Sequence, residues 1–482
     1  MPVDTYRPRT KLATHVVENQ PDALVGANLY ADDRLLAALA APRVDPAHRD
    51  RLVGFGARVG SAQVLEWGEQ ANANPPVLRA FDRVGRRIDE VEFHPAWHEL
   101  MRLSIEAGAS AIAWTSPAGG HLAHILLLFL LTQADAGHGC PVSMTYASVP
   151  ALRHEPEVAA RWEPRVTASR YDARCLPPEM KDGCTLGMAM TEKQGGSDVR
   201  ANTTRAVEQS DGTYLITGHK WFCSAPQSDA FLVLANTAAG VTCFVVPRVL
   251  PDGTRNVFNV QRLKDKLGNK SNASSEVEFD GTVGWRLGDE GAGVRSIIEM
   301  VNQTRLDCIL GSAAGMRQSV AEAAWHVRNR AAFGATLVDQ PAMTAVIADL
   351  QVEAEAAVWT GLRLAAAYDD DADESAAFRR LATAVGKYWV CKRGPNHAYE
   401  ALVCLGGNGY TENGFPLSRR YREQPVMAVW EGSGNVIALD VLRAMAREPE
   451  SVAAFDAELA AQLGTDELFD RHVARVREFI GR

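Results

Sequence analysis

Apolar and polar positions divide the chain into three textures. From about residue 28 to 165 the apolar residues recur at helical spacing, with much Ala and Leu and few β-branched runs. "DDRLLAALA" sets an acidic pair ahead of the first apolar positions, as a helix N-terminus does. "ILLLFLL" at 125–131 is apolar all round and reads as the inside of a buried helix. "ANANPPVLRAFDRVGRR" is a break, because Pro75 and Pro76 cannot sit inside a helix. Near Cys184 the period changes. "TTRAVEQSDGTYLITGHKWFCS" alternates and turns at Asp211-Gly212, which predicts a hairpin. "DAFLVLANT", "GVTCFVVPRV" and "SSEVEFDGTVGW" continue as short strands up to about Gly288. After "GDEGAGV" helical spacing returns in two long amphipathic stretches. The first ends in "AAWHVRNR", the second is "TAVIADLQVEAEAAVWTGLRLAAAYDD", and "DDDADESAAFRR" marks the turn that follows.

A chain of 482 residues is too long for one simple core. Its 46% hydrophobic and 23% charged residues are ordinary for a globular protein. A formal net charge of −9 argues against a surface built mainly for nucleic acid. The opening "MPVDTYRPRTKLATHVVENQ" has no apolar core behind its charges and does not read as a secretory leader. The 125–131 run is far shorter than the roughly 20 apolar residues that span a bilayer. Eight cysteines without a CxxC pair predict reduced, mostly buried thiols and a cytoplasmic protein, and no zinc-ligand spacing is present.

Four stretches carry candidate chemistry. "AMTEKQGGSDV" (189–199) is glycine-rich and offers the hydroxyls of Thr191 and Ser197 at the helix-to-strand junction; alone, such a loop is more often a tight turn. "GHKWFCSAPQSD" (218–229) sets an aromatic pair beside Cys223 and Ser224, able to floor a flat ligand, although such pairs are more often core. "RAAFGATLVDQP" starts at Arg330, read here in a late helix, whose guanidinium fork suits a pyrophosphate. The last stretch, "CLGGNGYTENGFPLSRRYREQPVMAVWEGSGNVIALDVLR", has a Gly-Gly-x-Gly turn, a basic run, and Glu431 between Trp430 and Gly432. A carboxylate against an aromatic wall loses solvation, which raises its pKa and suits it to take a carbon-bound proton.

Taken together and in this order, the four stretches resemble the acyl-CoA dehydrogenase superfamily of flavoproteins. Its Thr-Glu loop, its strand, its Arg-x-x-Phe-Gly segment and its Glu-Gly loop read here as Thr191-Glu192…Gly196-Ser197-Asp198, Phe222-Cys223-Ser224, Arg330…Phe333-Gly334 and Trp430-Glu431-Gly432-Ser433. "NQPDALVGANLYADD", "FHPAWHEL" and "LKDKLGNKSNASSEVEF" are similar to its AidB branch, which is linked to the response to DNA alkylation. The resemblance runs from about residue 13 to 445. It implies an α+β fold with an N-terminal helical domain (1–183), a β-barrel-like middle domain (184–288), a C-terminal four-helix bundle (289–446) and a short acidic helical tail (447–482).

The resemblance also implies FAD as cofactor and an acyl-CoA or related thioester as substrate. It places the flavin against Met188, Met190, Thr191, Gly196, Ser197, Phe222, Cys223, Ser224 and Trp430. Arg330, Phe333 and the Gly406-Gly407 turn would reach the FAD of a neighbouring subunit, with Ser433 and Asn435 on the adenosine half. Ser197 and Arg305 would lie on the substrate side, and Glu431 would be the catalytic base. Some members carry the base just before an arginine on an earlier helix; that position is Thr304 here, which cannot serve. The family's glutamine after the Arg-x-x-Phe-Gly segment reads as Pro341, with Gln340 one place early, and Val403 stands where many members are polar. A homotetramer and an electron-transferring flavoprotein as acceptor are the family's usual partners. The alternative from the same branch is a flavin-bearing, DNA-protective protein with little turnover. From Asp440 to Arg482 six arginines face nine acidic residues, net −3, which is the wrong sign for phosphate.

Overall fold

The apolar run at 125–131 lies inside a buried helix, and the N-terminal third is arranged around it. A computed structural model describes residues 7–481, so the first six residues of the opening lie outside the described ones. The first part runs α1 (Arg34–Ala40), α2 (Pro46–Val59), α3 (Ala62–Ala73), β1 (Val77–Phe81), β2 (Arg87–Glu92), α4 (Pro95–Glu106), α5 (Ile112–Thr115), α6 (Gly120–Ala134), α7 (Gly139–Leu152) and α8 (Pro156–Val166). Asp33 caps α1 by accepting the Leu36 N–H at 3.1 Å, as the acidic pair predicts. Every residue of α6 except His121 is buried. One correction falls here: the break at Pro75-Pro76 opens into an antiparallel hairpin of β1 and β2. Its turn is held by the Asp82 carboxylate, which accepts the Val84 and Arg86 N–H groups at 2.9 Å.

The middle part holds β3 (Leu186–Ala189), β4 (Arg205–Glu208), β5 (Tyr214–Ser224), β6 (Ala230–Thr237), β7 (Gly240–Pro247), β8 (Phe258–Leu263) and β9 (Ser274–Leu287). Pairing runs β6–β4–β5–β9–β7 and returns from β7 to β6, so the sheet closes on itself. Strand β3 pairs parallel to β6, and β8 pairs with β9. The β4–β5 hairpin turns at Asp211-Gly212 as expected, with Gly212 at φ +79°. Phe231, Phe244, Phe258 and Ile216 fill the interior.

The last part comprises α9 (Gly293–Asn329), β10 (Ala331–Ala332), β11 (Ala335–Thr336), α10 (Pro341–Tyr368), α11 (Asp373–Val403), α12 (Gly407–Tyr410), α13 (Leu417–Met427), α14 (Gly434–Arg447), α15 (Pro449–Ala460) and α16 (Glu467–Ile480). Helix α11 lies against α9, α10 and α13, and α9 also packs on α6, α7 and β7. Covered from both sides, α9 is buried from Gln303 to Val320 at every residue except Arg317. It is therefore a core helix rather than the amphipathic one its sequence predicts, and its polar residues must find partners inside. A Cβ at Gly361 would stand 2.1 Å from Leu310 Cδ2, so glycine there lets α10 close on α9. The basic run is structural. Arg419 donates to Ala134 O at 2.7 Å and Arg420 to Thr132 O at 3.3 Å, satisfying the open carbonyl end of α6. Among the described residues no helix is long and apolar enough to cross a membrane.

Candidate active site

The glycine-rich loop leaves β3 at Ala189 and folds back on β5 through one buried carboxylate. Glu192 has no solvent exposure and pairs with Lys220 on β5 at 3.0 Å. It also accepts the Thr203 N–H at 2.7 Å, the Thr203 hydroxyl at 2.9 Å and the Thr204 N–H at 3.1 Å. Burial raises its pKa, but these hydrogen bonds, the one from Gln194 and the Lys220 charge outweigh it, holding the carboxyl far below its usual range. The backbone follows, with Trp221 N–H donating to Thr191 O at 2.8 Å. Thr191 is left half-buried and Ser197 exposed. A Cβ at Gly196 would stand 2.3 Å from Thr191 Oγ1. Gly196→Ala is therefore expected to push the Thr191 hydroxyl aside and lower flavin retention, read as the ratio of flavin to protein absorbance after gel filtration.

Strand β5 presents the aromatic stretch with alternate faces. Phe222 is exposed and Ser224 half-buried, whereas Cys223 between them is buried in the barrel interior. This corrects the expectation for Cys223. The two-residue period turns its side chain away from the ligand face, where burial pushes the thiol up to about 12. Met188 on β3 is likewise buried in the core, and Met190, just past the strand's end, is half-buried. Lys264 Nζ lies 3.3 Å from the Trp221 ring centroid, a cation–π contact behind the same face.

Glu431 sits on the loop before α14 with φ +57°, an uncommon conformation for a non-glycine residue. Three side chains hold it there. Buried Lys387 on α11 donates to Trp430 O at 2.9 Å and to Gly432 O at 2.6 Å. Arg305 on α9 donates to Glu431 O at 3.1 Å and to the Asp440 carboxylate at 2.7 Å. Thr304 donates its hydroxyl to Glu431 Oε2 at 2.8 Å. Burial raises the Glu431 pKa, and the Asp307 charge adds to it, while the Thr304 hydrogen bond and the Arg305 and Lys387 charges oppose. Arg305, expected on the substrate, is thus anchored to the base loop and Asp440. Thr304, which occupies the alternative base position, is the hydrogen-bond donor to Glu431.

Glu431 and β5 meet around Cys140 on α7. Its thiol lies in hydrogen-bonding range of Ser224 and Asn272 and within the field of Glu431 and Lys266, and burial pushes it up to about 12. Lys266 lies 3.3 Å from Ser274 Oγ, which is 3.3 Å from Ser224 Oγ. Two buried carboxamides of this turn, Asn269 and Asn272, and the Trp430 indole N–H have no nitrogen or oxygen partner. Such groups call for a polar ligand. An exposed aromatic face edged by hydroxyls and unpartnered donors and acceptors fits a flavin.

A second group assembles elsewhere. Arg330 shares a cleft of about 390 Å³ with Gly406, Gly407, Val403 and Gln20. Arg330 is not helical: α9 ends at Asn329, and Arg330 leads in extended conformation into the β10–β11 hairpin. Phe333 at φ +54° and Gly334 at φ +80° form its tip, and Phe333 is fully exposed. Asn19 clamps the hairpin by accepting the Ala331 N–H at 2.7 Å and donating to Ala331 O at 2.9 Å. Pro341 starts α10, and Gln340 donates to Ala332 O at 3.4 Å. Ser433 is the N-cap residue of α14 and exposed, as is Asn435 in its first turn. Lys387 lies outside every motif, and Lys220, Lys266, Asn272 and Asp440 lie within quoted stretches without being assigned a role, since a lone lysine, asparagine or aspartate carries no spacing signal.

Helices, a closed barrel and a helical bundle, with a half-buried glutamate on the loop before α14, define an acyl-CoA dehydrogenase fold. Three family models match the chain: the AidB N-terminal domain over residues 19–173, the acyl-CoA dehydrogenase middle domain over 187–282 and its C-terminal domain over 291–446. The AidB protein of Escherichia coli (strain K12) is 45% identical over 96% of this chain and 86% of its own length. Acyl-CoA dehydrogenase family member 11 of Caenorhabditis elegans is 30% identical over 94% of this chain and 76% of its own. The chain belongs to the acyl-CoA dehydrogenase family, in its AidB branch, and FAD is the cofactor of that family. Among solved structures, Caenorhabditis elegans ACDH-11 in complex with C11-CoA superposes with a TM-score of 0.86 at 27% identity, covering 98% of this chain and 82% of that one. The Bd2924 apo-form gives a TM-score of 0.87 at 25% identity, over 96% and 93%.

Proposed function

We propose that the chain dehydrogenates an acyl-CoA or related thioester across Cα–Cβ, with Glu431 taking the α-proton. The observation that carries this reading is the glutamate itself: half-buried, raised in proton affinity, and held by Thr304, Arg305 and Lys387 beside Ser224 and Cys140. An α-C–H is a poor acid, so the base must be desolvated and fixed in place. Partial burial contributes to the first condition and the three-sided clamp supplies the second. Bound FAD supplies the hydride acceptor at its flavin ring. Thr191, Ser197, Phe222, Ser224 and Trp430 would hold the flavin, with Met190 at its edge and Met188 and Gly196 shaping the loop behind it. The C11-CoA bound by the Caenorhabditis elegans relative supports a thioester as the substrate class.

The second cleft suits the far half of the cofactor from a neighbouring subunit. Arg330 lies beside the Gly406-Gly407 turn, and the exposed Phe333 tip projects next to them. Ser433 and Asn435 would meet the adenosine half. We infer a homotetramer, and electron transfer to an electron-transferring flavoprotein, as the partners usual in this family. Arg330→Ala is expected to lower FAD occupancy several-fold without moving the thermal midpoint of the flavin-free protein. Fully yellow protein from that variant would count against the shared site.

The test is an anaerobic titration of the oxidised-flavin band with short, branched and long acyl-CoAs. Bleaching by a subset establishes the reaction and its acyl class. Flavin that no thioester bleaches would overturn it and turn attention to salt-dependent duplex binding.

A further inference from the structure

One helical turn beneath the base lies a buried ionisable pair that the reaction scheme does not yet use. His124 on α6 has no exposure, and Asp307 on α9 is 4% exposed. His124 Nε2 is 3.1 Å from Asp307 Oδ1, and Nδ1 is 2.5 Å from Ala109 O. Ser143 donates to Asp307 Oδ2 at 2.5 Å. A carbonyl oxygen only accepts, so Nδ1 carries a hydrogen. The Nε2–Oδ1 contact then needs one proton between its two atoms, seated on either. In both arrangements the pair holds a single shared proton and is neutral as a whole.

The pair hangs from the same helix turn as the base clamp, because Thr304 stands three residues before Asp307 and bonds Glu431. The ionisable groups around it come from every packed element. They are His121 on α6, Cys140 and Tyr146 on α7, Arg305 and Cys308 on α9, Tyr368 and Asp369 at the end of α10, Lys387 on α11, and Glu431. The His124 ring stacks on Tyr146 at 3.6 Å between centroids, and Tyr146 bonds His121 at 2.8 Å.

We propose that His124 and Asp307 are positioning residues for the α-proton transfer: by sharing one proton they keep the floor beneath Thr304 and Glu431 neutral, so the base stays ionised at neutral pH. This rests on Glu431 being the base. Removing His124 alone strands a carboxylate that keeps the Ser143 donor under the glutamate; removing Asp307 alone as Asp307→Asn strands no charge, because the new amide can donate to a neutral His124 Nε2.

The experiment is the pH profile of kcat/KM in holoenzyme with the best acyl-CoA of the panel. In His124→Gln the acidic limb moves upward by about one pH unit, a roughly tenfold loss on that limb. In Asp307→Asn the limb does not move upward, whatever happens to the maximum, and in the double variant it returns toward wild type. A merely structural role would give both single variants the same shift, because both break the same hydrogen bond, and that result overturns the proposal. If His124→Gln does not fold, ¹⁵N-histidine spectra of wild-type protein decide. The pair predicts a hydrogen on His124 Nδ1 and a proton shared at Nε2, and a spectrum showing Nδ1 unprotonated overturns it. If Glu431→Gln still bleaches, the base reading fails first, and the same spectra still report the pair separately.

Discussion

Glu431→Gln is expected to keep FAD bound and lose substrate-dependent bleaching, with the rate of flavin reduction falling by about 10²–10⁴-fold or more. The substitution is nearly isosteric, so Lys387 and Arg305 keep their grip on the backbone carbonyls of residues 430–432. Thr304 can donate to the amide oxygen as it does to Oε2. Only the proton acceptor is removed. Because burial raises the Glu431 pKa, wild-type activity should fall as pH drops through that raised value, and the remaining activity of the variant should lack this limb. Stopped-flow reduction under anaerobic conditions measures both. Unchanged bleaching would remove Glu431 as the base.

The largest stability effect is expected at Glu192. Glu192→Gln leaves the Lys220 ammonium inside the protein without a counter-charge, although its bond to Leu234 O at 2.8 Å remains. Breaking one side of a buried pair costs about 3–5 kcal/mol. The loss is local in origin, because the same carboxylate ties the Thr191 loop to Thr203 and Thr204. Flavin should therefore leave before the chain unfolds. Since the folded-state pKa of Glu192 is depressed below its unfolded value, its contribution is fully present above about pH 4.5 and is lost as pH falls toward the folded value. Thermal melts of wild type and variant across pH 3–7 should draw closer together toward the acid end. A constant gap between them would show that the pair does not titrate with folding.

Legibility differed by kind of signal. Helix, strand and turn periods were readable because they depend on neighbours a few residues apart. The Asp211-Gly212 hairpin and the Asp33 cap are where the residues place them. The β1–β2 hairpin was hidden by its shortness, and the Arg330–Gly334 turn by the helix that runs into it. The character of α9 was misread because one helix, seen alone, does not reveal that partners cover it on both sides.

What the residues alone determined is the inventory of chemistry: a glutamate in a Trp-Glu-Gly loop, a hydroxyl-bearing glycine loop and an aromatic strand, each weak alone and recognisable because the acyl-CoA dehydrogenase family carries them in this order. What only the tertiary structure decided is which of them face each other and in what charge state. The alternation of β5 turned Cys223 inward, and the clamp on residues 430–432 drew Arg305 from substrate to loop. Long-range packing brought His124 from α6 against Asp307 of α9, 183 positions apart. Such pairings have no period to read, because a buried charge takes its partner from whichever element the core lays beside it.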